Sequence, residues 1–244
     1  MQNLYVSNST EQFSVTTVAG GGGFTPDSLN PVLYLVHNSG VTADANGKIT
    51  AWTDGTYNFT VGDTAFALTQ TDSSIFCDSS TVGRRLTLND AVGNPFDIGT
   101  GDMSVEIWMW NTGGTGNIFQ KDEVWRMGIV AADGNKVQFS AHDLTYTYEA
   151  IVRSSGDPQG AWHHFILSWE RAGDAILFID SVASYATDVD FDNLSATELN
   201  SADPSYIYGT GGTTESLGHI AVIRFYDYAL TPAEVKDLYE YGRE

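Results

Sequence analysis

Basic residues are scarce in this chain. Eleven Lys and Arg stand against 31 Asp and Glu in 244 residues, a formal charge of −20. So acidic a surface repels phosphate backbones and anionic bilayers, which sets nucleic acid and membrane surfaces aside as partners. Cysteine is scarcer still. Cys77 stands alone, so the chain has no internal disulfide and no thiolate metal cluster, and a small buried hydrophobe is its expected role. No run is apolar enough to cross a bilayer. The opening MQNLYVSNSTEQF has neither the basic start nor the apolar run of a secretory leader, so the sequons at Asn8, Asn58 and Asn193 are read as carrying no glycan. The HExxH helix, the G-x-S-x-G elbow, the P-loop and the dinucleotide fingerprint are missing too.

Aromatics and glycine are plentiful: 6 Trp, 12 Tyr and 12 Phe accompany 25 Gly. They fall in short alternating segments separated by turn residues, the pattern of an all-β sandwich or barrel. Strands are expected over 32–36, 48–52, 84–88, 103–110, 124–130, 136–141, 146–152, 162–170 and 175–180. Asn46-Gly47, Asp133-Gly134 and Gly173-Asp174 supply hairpin turns between them. Near the end, Ile220, Val222, Arg224 and Tyr226 alternate with Ala221, Ile223, Phe225 and Asp227 along one strand. Thr231-Pro232-Ala233-Glu234 then reads as N-cap, first-turn proline and capping-box Glu. Val235, Leu238 and Tyr239 follow at helical spacing, with Gly242 as the stop.

The first 29 residues differ in character. One alternating run, Phe13 to Val18, precedes four consecutive glycines, Gly20 to Gly23. We read residues 1–29 as an extended arm with a Gly-rich hinge and residues 30–244 as the folded body. Such an arm either adds a strand to a neighbour or stays disordered.

Three stretches together carry a family resemblance. MSVEIWMW from Met103 resembles a strand of the concanavalin A-like superfamily with a Glu two residues before a Trp. GAWHHFILSWERAGDAILFID from Gly160 is similar to that superfamily's Trp-His strand and hairpin. The closing strand with its helix start, and NPVLYLVHNSGVTADANGKITAWTD from Asn30, resemble further parts of laminin-G/pentraxin-like domains, including those of phage and microbial proteins. The resemblance implies a two-sheet antiparallel jelly-roll sandwich with one short C-terminal helix. It also implies binding of glycans or proteins through rim loops, often with calcium. Ser181 stands where the family usually has Gly after Asp180, so that turn is expected to differ.

Candidate sites are sparse. Asp188, Asp190 and Asp192 alternate in a D-x-D-x-D run that offers ligands to one calcium ion, the single cofactor the sequence raises. Bulky Val189 and Phe191, Asn193 in place of a turn glycine and the misplaced Glu198 depart from an EF-hand, and a solvated acidic edge is the other reading. Tyr146 and Tyr148 share a face and, flanked by Thr, offer an exposed platform for a ligand. His163 and His164 point opposite ways in a strand and cannot bind one ion together. Glu106 lacks the second carboxylate along its strand that glucanases of the superfamily carry, so a structural role is expected for it. Trp108 and Trp110 share a face and read as a core stripe.

The functional expectation is a non-enzymatic binding or structural module. Its leading form is a phage virion protein of capsid-decoration, appendage or fibre type, displaying its sandwich for glycan or host-surface adhesion. The arm would dock on a capsid or tail protein, and an oligomer stays open. A free, calcium-dependent carbohydrate-binding lectin is the alternative, with a glycan hydrolase or lyase ranked last.

Overall fold

The computed structural model describes residues 3–6, 13–16, 24–61, 68–77, 85–88, 96–122, 124–130, 134–145, 149–154, 157–184, 191–208 and 217–243. Among these run β1 (Asn3–Val6), β2 (Phe13–Thr16), β3 (Leu33–Val36), β4 (Val41–Ala43), β5 (Ile49–Thr53), β6 (Asn58–Val61) and β7 (Leu68–Gln70). Next come β8 (Ile75–Cys77), β9 (Leu86–Leu88), β10 (Met103–Gly113), β11 (Gly116–Lys121), β12 (Trp125–Val130) and β13 (Lys136–His142). The chain closes with β14 (Glu149–Arg153), β15 (Trp162–Trp169), β16 (Ala175–Ile179), β17 (Val182–Ala183), β18 (Ser205–Ile207), β19 (Leu217–Tyr226) and the helix α1 (Pro232–Arg243).

Two antiparallel sheets form the sandwich. The first follows the order β17-β16-β15-β10-β19-β8-β7, with β3 also paired to β19; the second follows β14-β13-β12-β11-β18-β9-β6-β5-β4. Strand β10 shows how sequence becomes layer. Its odd residues Met103, Val105, Ile107 and Met109 are fully buried in the inter-sheet core. Its even residues Ser104, Glu106, Trp108 and Trp110 lie on the other face, as the period of two demands. Aromatics fill the space between the sheets: Trp125 meets Phe119 at 5.2 Å and Phe225 at 5.8 Å. Its indole N–H donates to the Phe96 carbonyl at 3.1 Å, so the ring is buried without stranding its polar end.

The first sheet's outer face is covered by α1. The helix starts as its sequence dictates: Thr231 N–H donates to Glu234 Oε2 at 2.7 Å and Glu234 N–H to Thr231 Oγ1 at 3.3 Å, the reciprocal capping box. Val235 and Leu238 are buried with Ile166, Phe178, Tyr226 and Leu230. Tyr239 stacks on Trp108 at 6.0 Å with the rings 7° from parallel.

Three expectations need correction. Gly242 does not end the helix, which runs to Arg243; a Cβ there would lie 2.4 Å from the Trp108 ring, so glycine lets the last turn sit on the indole. Trp108 belongs to this helix-covered cluster and not to the inter-sheet core. Strand β19 does not alternate throughout. Trp108 pairs with Val222 and Met109 with Ile220, so a bulge at Ala221 turns Ile220 into the core beside Ile223 and Phe225. The turn after β16 is a tight two-residue form without glycine: Asp180 and Ser181 have φ of 52° and 64°, the positive pair of a type I′ hairpin.

Strands β1 and β2 pair with each other, Asn3 opposite Thr16, and β1 runs beside α1. Gly20 to Gly23 lie outside the described residues. Phe24 and Leu29, within the stretch read as the arm, pack on the helix-side cluster, and Phe24 meets Tyr241 edge-on at 6.3 Å.

Candidate functional site

The outer face of the second sheet is open where the first is covered. Four strands build it in register. Asn117, Gly128, Gln138 and Arg153 form one row across β11, β12, β13 and β14; Gln120, Arg126, Ser140 and Ile151 form the next. Their neighbours Met127, Ile129, Val137, Phe139 and Val152 point into the core. A side chain is missing from the middle of this field at Gly128, and a groove of about 310 Å³ lies there, walled by Asn117, Arg126, Val130, Gln138, Ile151 and Arg153. The glycine is obligatory: a Cβ would stand 2.4 Å from the Gly116 carbonyl oxygen, where β11 is irregular between Asn117 and Phe119.

The polar walls are braced. Arg126 Nε–H donates to Ser140 Oγ at 2.9 Å and Arg153 Nε–H to Gln138 Oε1 at 2.7 Å. Asn117 donates to Gln120 Oε1, whose own amide donates to Asp122 at 3.3 Å. Gln138 is only 8% exposed. Planar amides and guanidinium groups fixed beside apolar Val130 and Ile151 suit a ring that is polar at its edge and apolar on its face. No carboxylate lines the groove among the described residues, so the acid pair of a glycosidase is not assembled there.

The charged cluster under α1 has another character. Glu106 is fully buried and accepts from Arg224 Nη1 at 2.5 Å and Tyr226 Oη at 2.9 Å, with His164 Nε2 at 3.1 Å. Burial would raise its carboxyl, but the Arg224 charge and the His164 hydrogen bond prevail and hold it at about 2. Arg224 in turn lies over the Tyr34 ring at 4.3 Å. A carboxylate so held is no proton donor at neutral pH. It ties β10 to β15 and β19 on the face that α1 covers, the structural role expected of Glu106.

The histidine pair separates as expected. His164 is buried, whereas His163 is partly exposed and bonds Asp180 through Nδ1 at 2.8 Å. The same carboxylate accepts from His164 N–H at 3.0 Å, which anchors the glycine-free turn.

One aromatic row invites a ligand reading and declines it. Trp162, Trp110, His219 and Phe76 stand side by side on β15, β10, β19 and β8. His219 stacks on Phe76 at 4.3 Å and on Trp110 at 5.5 Å, within 26° of parallel. Their faces are spent on one another, so the row ties strands together and offers no flat platform.

The residues singled out as binding candidates fall elsewhere. Tyr146, Tyr148, Asp188 and Asp190 lie outside the described residues, and of Asp192 only the backbone is described, in the short 3₁₀ turn Phe191–Leu194. Among the described residues, no three His, Cys, Asp or Glu side chains are placed to share a metal ion. The groove itself was missed. Its one local signal was Lys136, Gln138 and Ser140 alternating with apolar residues in the expected strand 136–141; β11 was not expected, and Arg153 lies past the expected strand 146–152.

A family model described as concanavalin A-like lectin/glucanases superfamily, of laminin-G type, matches residues 80–236. The chain belongs to this superfamily. Solved structures of similar architecture include the binding domain of botulinum neurotoxin serotype G, 15% identical with a TM-score of 0.56 over 86% of this chain and 51% of that one. The serotype D ligand binding domain in complex with N-acetylneuraminic acid is 14% identical, with a TM-score of 0.57 over 87% and 52%. The binding domain of Paraclostridial Mosquitocidal Protein 1 is 10% identical, with a TM-score of 0.57 over 87% and 55%. This superfamily member thus spans about half the length of those domains and shares their jelly-roll fold. Comparison with curated proteins gives no match. No described helix of the chain is long and apolar enough to cross a membrane.

Proposed function

We propose that the chain is a non-enzymatic glycan-binding module and that a saccharide occupies the groove above Gly128. The observation that carries this reading is the pair of in-register rows on β11–β14, which set braced planar polar groups beside apolar walls over an obligatory glycine. Neighbours described as receptor- or ligand-binding domains, one with a bound sialic acid, support a binding role. The test is a glycan array followed by titration calorimetry on the best hit. Filling the groove by Val130→Trp should abolish binding. An array with no hit, or a filled variant that binds undiminished, refutes the reading. Calcium at Asp188, Asp190 and Asp192 is part of this proposal, and it falls if EDTA leaves binding unchanged.

The setting we propose is the surface of a phage particle, with the N-terminal segment as anchor. The β1–β2 hairpin supports it, being a short unit joined to the body through Gly20–Gly23. Phe24 and Leu29 pack on the body, so the informative deletion removes residues 1–23. If that variant still decorates particles, the anchor lies elsewhere; if mass spectrometry of purified particles lacks the chain, the setting is wrong.

A further inference from the structure

We infer that two copies of this chain join through their N-terminal hairpins, strand β2 of one pairing antiparallel with β2 of the other. The contact lies at the back of the domain and stands whether or not the groove takes a saccharide.

An unpaired strand edge invites another strand, and folded domains blunt such edges with short strands, bulges or cover. The sandwich does so at its own edges. Strand β17 has two residues, β4 is irregular between Thr42 and Ala43, β7 is bridged from Thr69 to Lys48, and β14 runs beside the turn Phe191–Leu194. The hairpin is built otherwise. β1 and β2 form a two-stranded sheet of their own, with Leu4 opposite Val15 and Val6 opposite Phe13. β1 lies beside α1, which leaves β2 as the outer strand, with no second partner strand among the described residues. Its composition favours pairing: Phe13, Val15 and Thr16 are strong strand formers, and residues 12–23 hold neither a charge nor a proline. A two-stranded hairpin is marginal in water, whereas three or more strands support one another.

Charge selects the partner. Residues 1–23 hold a single charged side chain, Glu11, so residues 24–244 carry −19 of the formal −20. Two bodies of that charge repel on direct approach, and the hairpin is the segment where like chains meet with little opposing charge. A strand paired antiparallel with its own copy is self-complementary, the condition of a closed twofold dimer. The four strands β1-β2-β2-β1 span about 14 Å at ordinary spacing. The two α1 helices, each beside a β1, therefore stand farther apart than the roughly 8 Å over which charges act at about 0.15 M salt.

The experiment is sedimentation equilibrium of the full chain at about 0.15 M salt. The 26.5 kDa chain should associate into pairs with a dissociation constant below about 1 mM. At about 0.01 M salt, where screening extends only beyond about 30 Å, the pair should weaken at least about threefold. Removing residues 1–23 should leave a monomer. Ser14 and Thr16 alternate with apolar Phe13 and Val15, so they carry the decisive variants. Ser14→Glu with Thr16→Glu should weaken pairing at least about tenfold, and Ser14→Lys with Thr16→Lys likewise, because like charges then face each other across the axis. An equal mixture of the two double variants should pair at least as tightly as the unaltered chain. Thermal melting checks that the body of each variant is folded. A full chain still monomeric at about 1 mM, a truncated chain that still pairs, or a mixture that pairs no better than either variant alone overturns the inference.

Discussion

Replacing Glu106 by leucine removes the centre of the polar cluster between the first sheet and α1. Three groups lose their acceptor at once: Arg224 Nη1 at 2.5 Å, Tyr226 Oη at 2.9 Å and His164 Nε2 at 3.1 Å. Breaking a buried ion pair from one side costs about 3–5 kcal/mol, because the surviving charge keeps its desolvation penalty. For a chain of this length that lowers Tm by about 6–20 °C. The carboxyl's acidity gives an independent measure. Its value of about 2, against 4.5 when unperturbed, corresponds to about 3 kcal/mol of stabilisation at 1.36 kcal/mol per pH unit. Since the folded value is the lower one, this contribution is complete above about pH 4.5 and drains away as pH falls toward 2. Urea unfolding at pH 7 and at pH 3 reads both effects: Glu106→Leu should lower the midpoint strongly at pH 7 and less at pH 3. The double variant Glu106→Leu/Arg224→Met should recover at least about 2 kcal/mol, because an apolar pair tolerates the same burial. A single-variant loss under about 1 kcal/mol, or a double variant no better than the single, would refute the reasoning.

Three further outcomes follow from particular contacts. Gly242→Ala should destabilise the fold by about 1–3 kcal/mol by thermal melting, because its methyl would press on the Trp108 ring; a gain of about 1 kcal/mol, as helix propensity alone would give, would mean the last turn does not sit there. Ser181→Gly should stabilise by about 0.5–1 kcal/mol in urea unfolding, since both turn residues hold positive φ, and any loss would count against the turn. Burial lowers the His219 imidazole, so stability should decline as pH falls below the unfolded value near 6.5 and through the folded one. His219→Phe should flatten the dependence of the urea midpoint between pH 7 and 5, and an unchanged dependence would show that the ring titrates as it does in the unfolded chain.

What the sequence disclosed depended on the range of each signal. The capping box of Thr231 and Glu234 and the opposite facing of His163 and His164 are local, set within a few residues, and both formed as read. The family resemblance, carried by order and spacing, led to the right sandwich. Departures came where one element answers to another. Gly242 reads as a helix stop until Trp108 is placed beneath it, and the bulge at Ala221 that turns Ile220 inward arises from pairing with β10. The groove is the clearest instance. Asn117, Gly128, Gln138 and Arg153 are spread over 37 positions of chain and become one row only through three strand registers, which alternation within any one strand does not encode.

The seating of α1 has a consequence for how this domain would work when held to something larger. The hairpin β1–β2 and the closing helix gather on one side of the sandwich, and the groove opens on the opposite side. A tether at either terminus therefore pulls on the back of the domain and leaves the groove turned outward. Many copies fixed by the same end would all look away from their support, and a weak single grip could become a firm collective one.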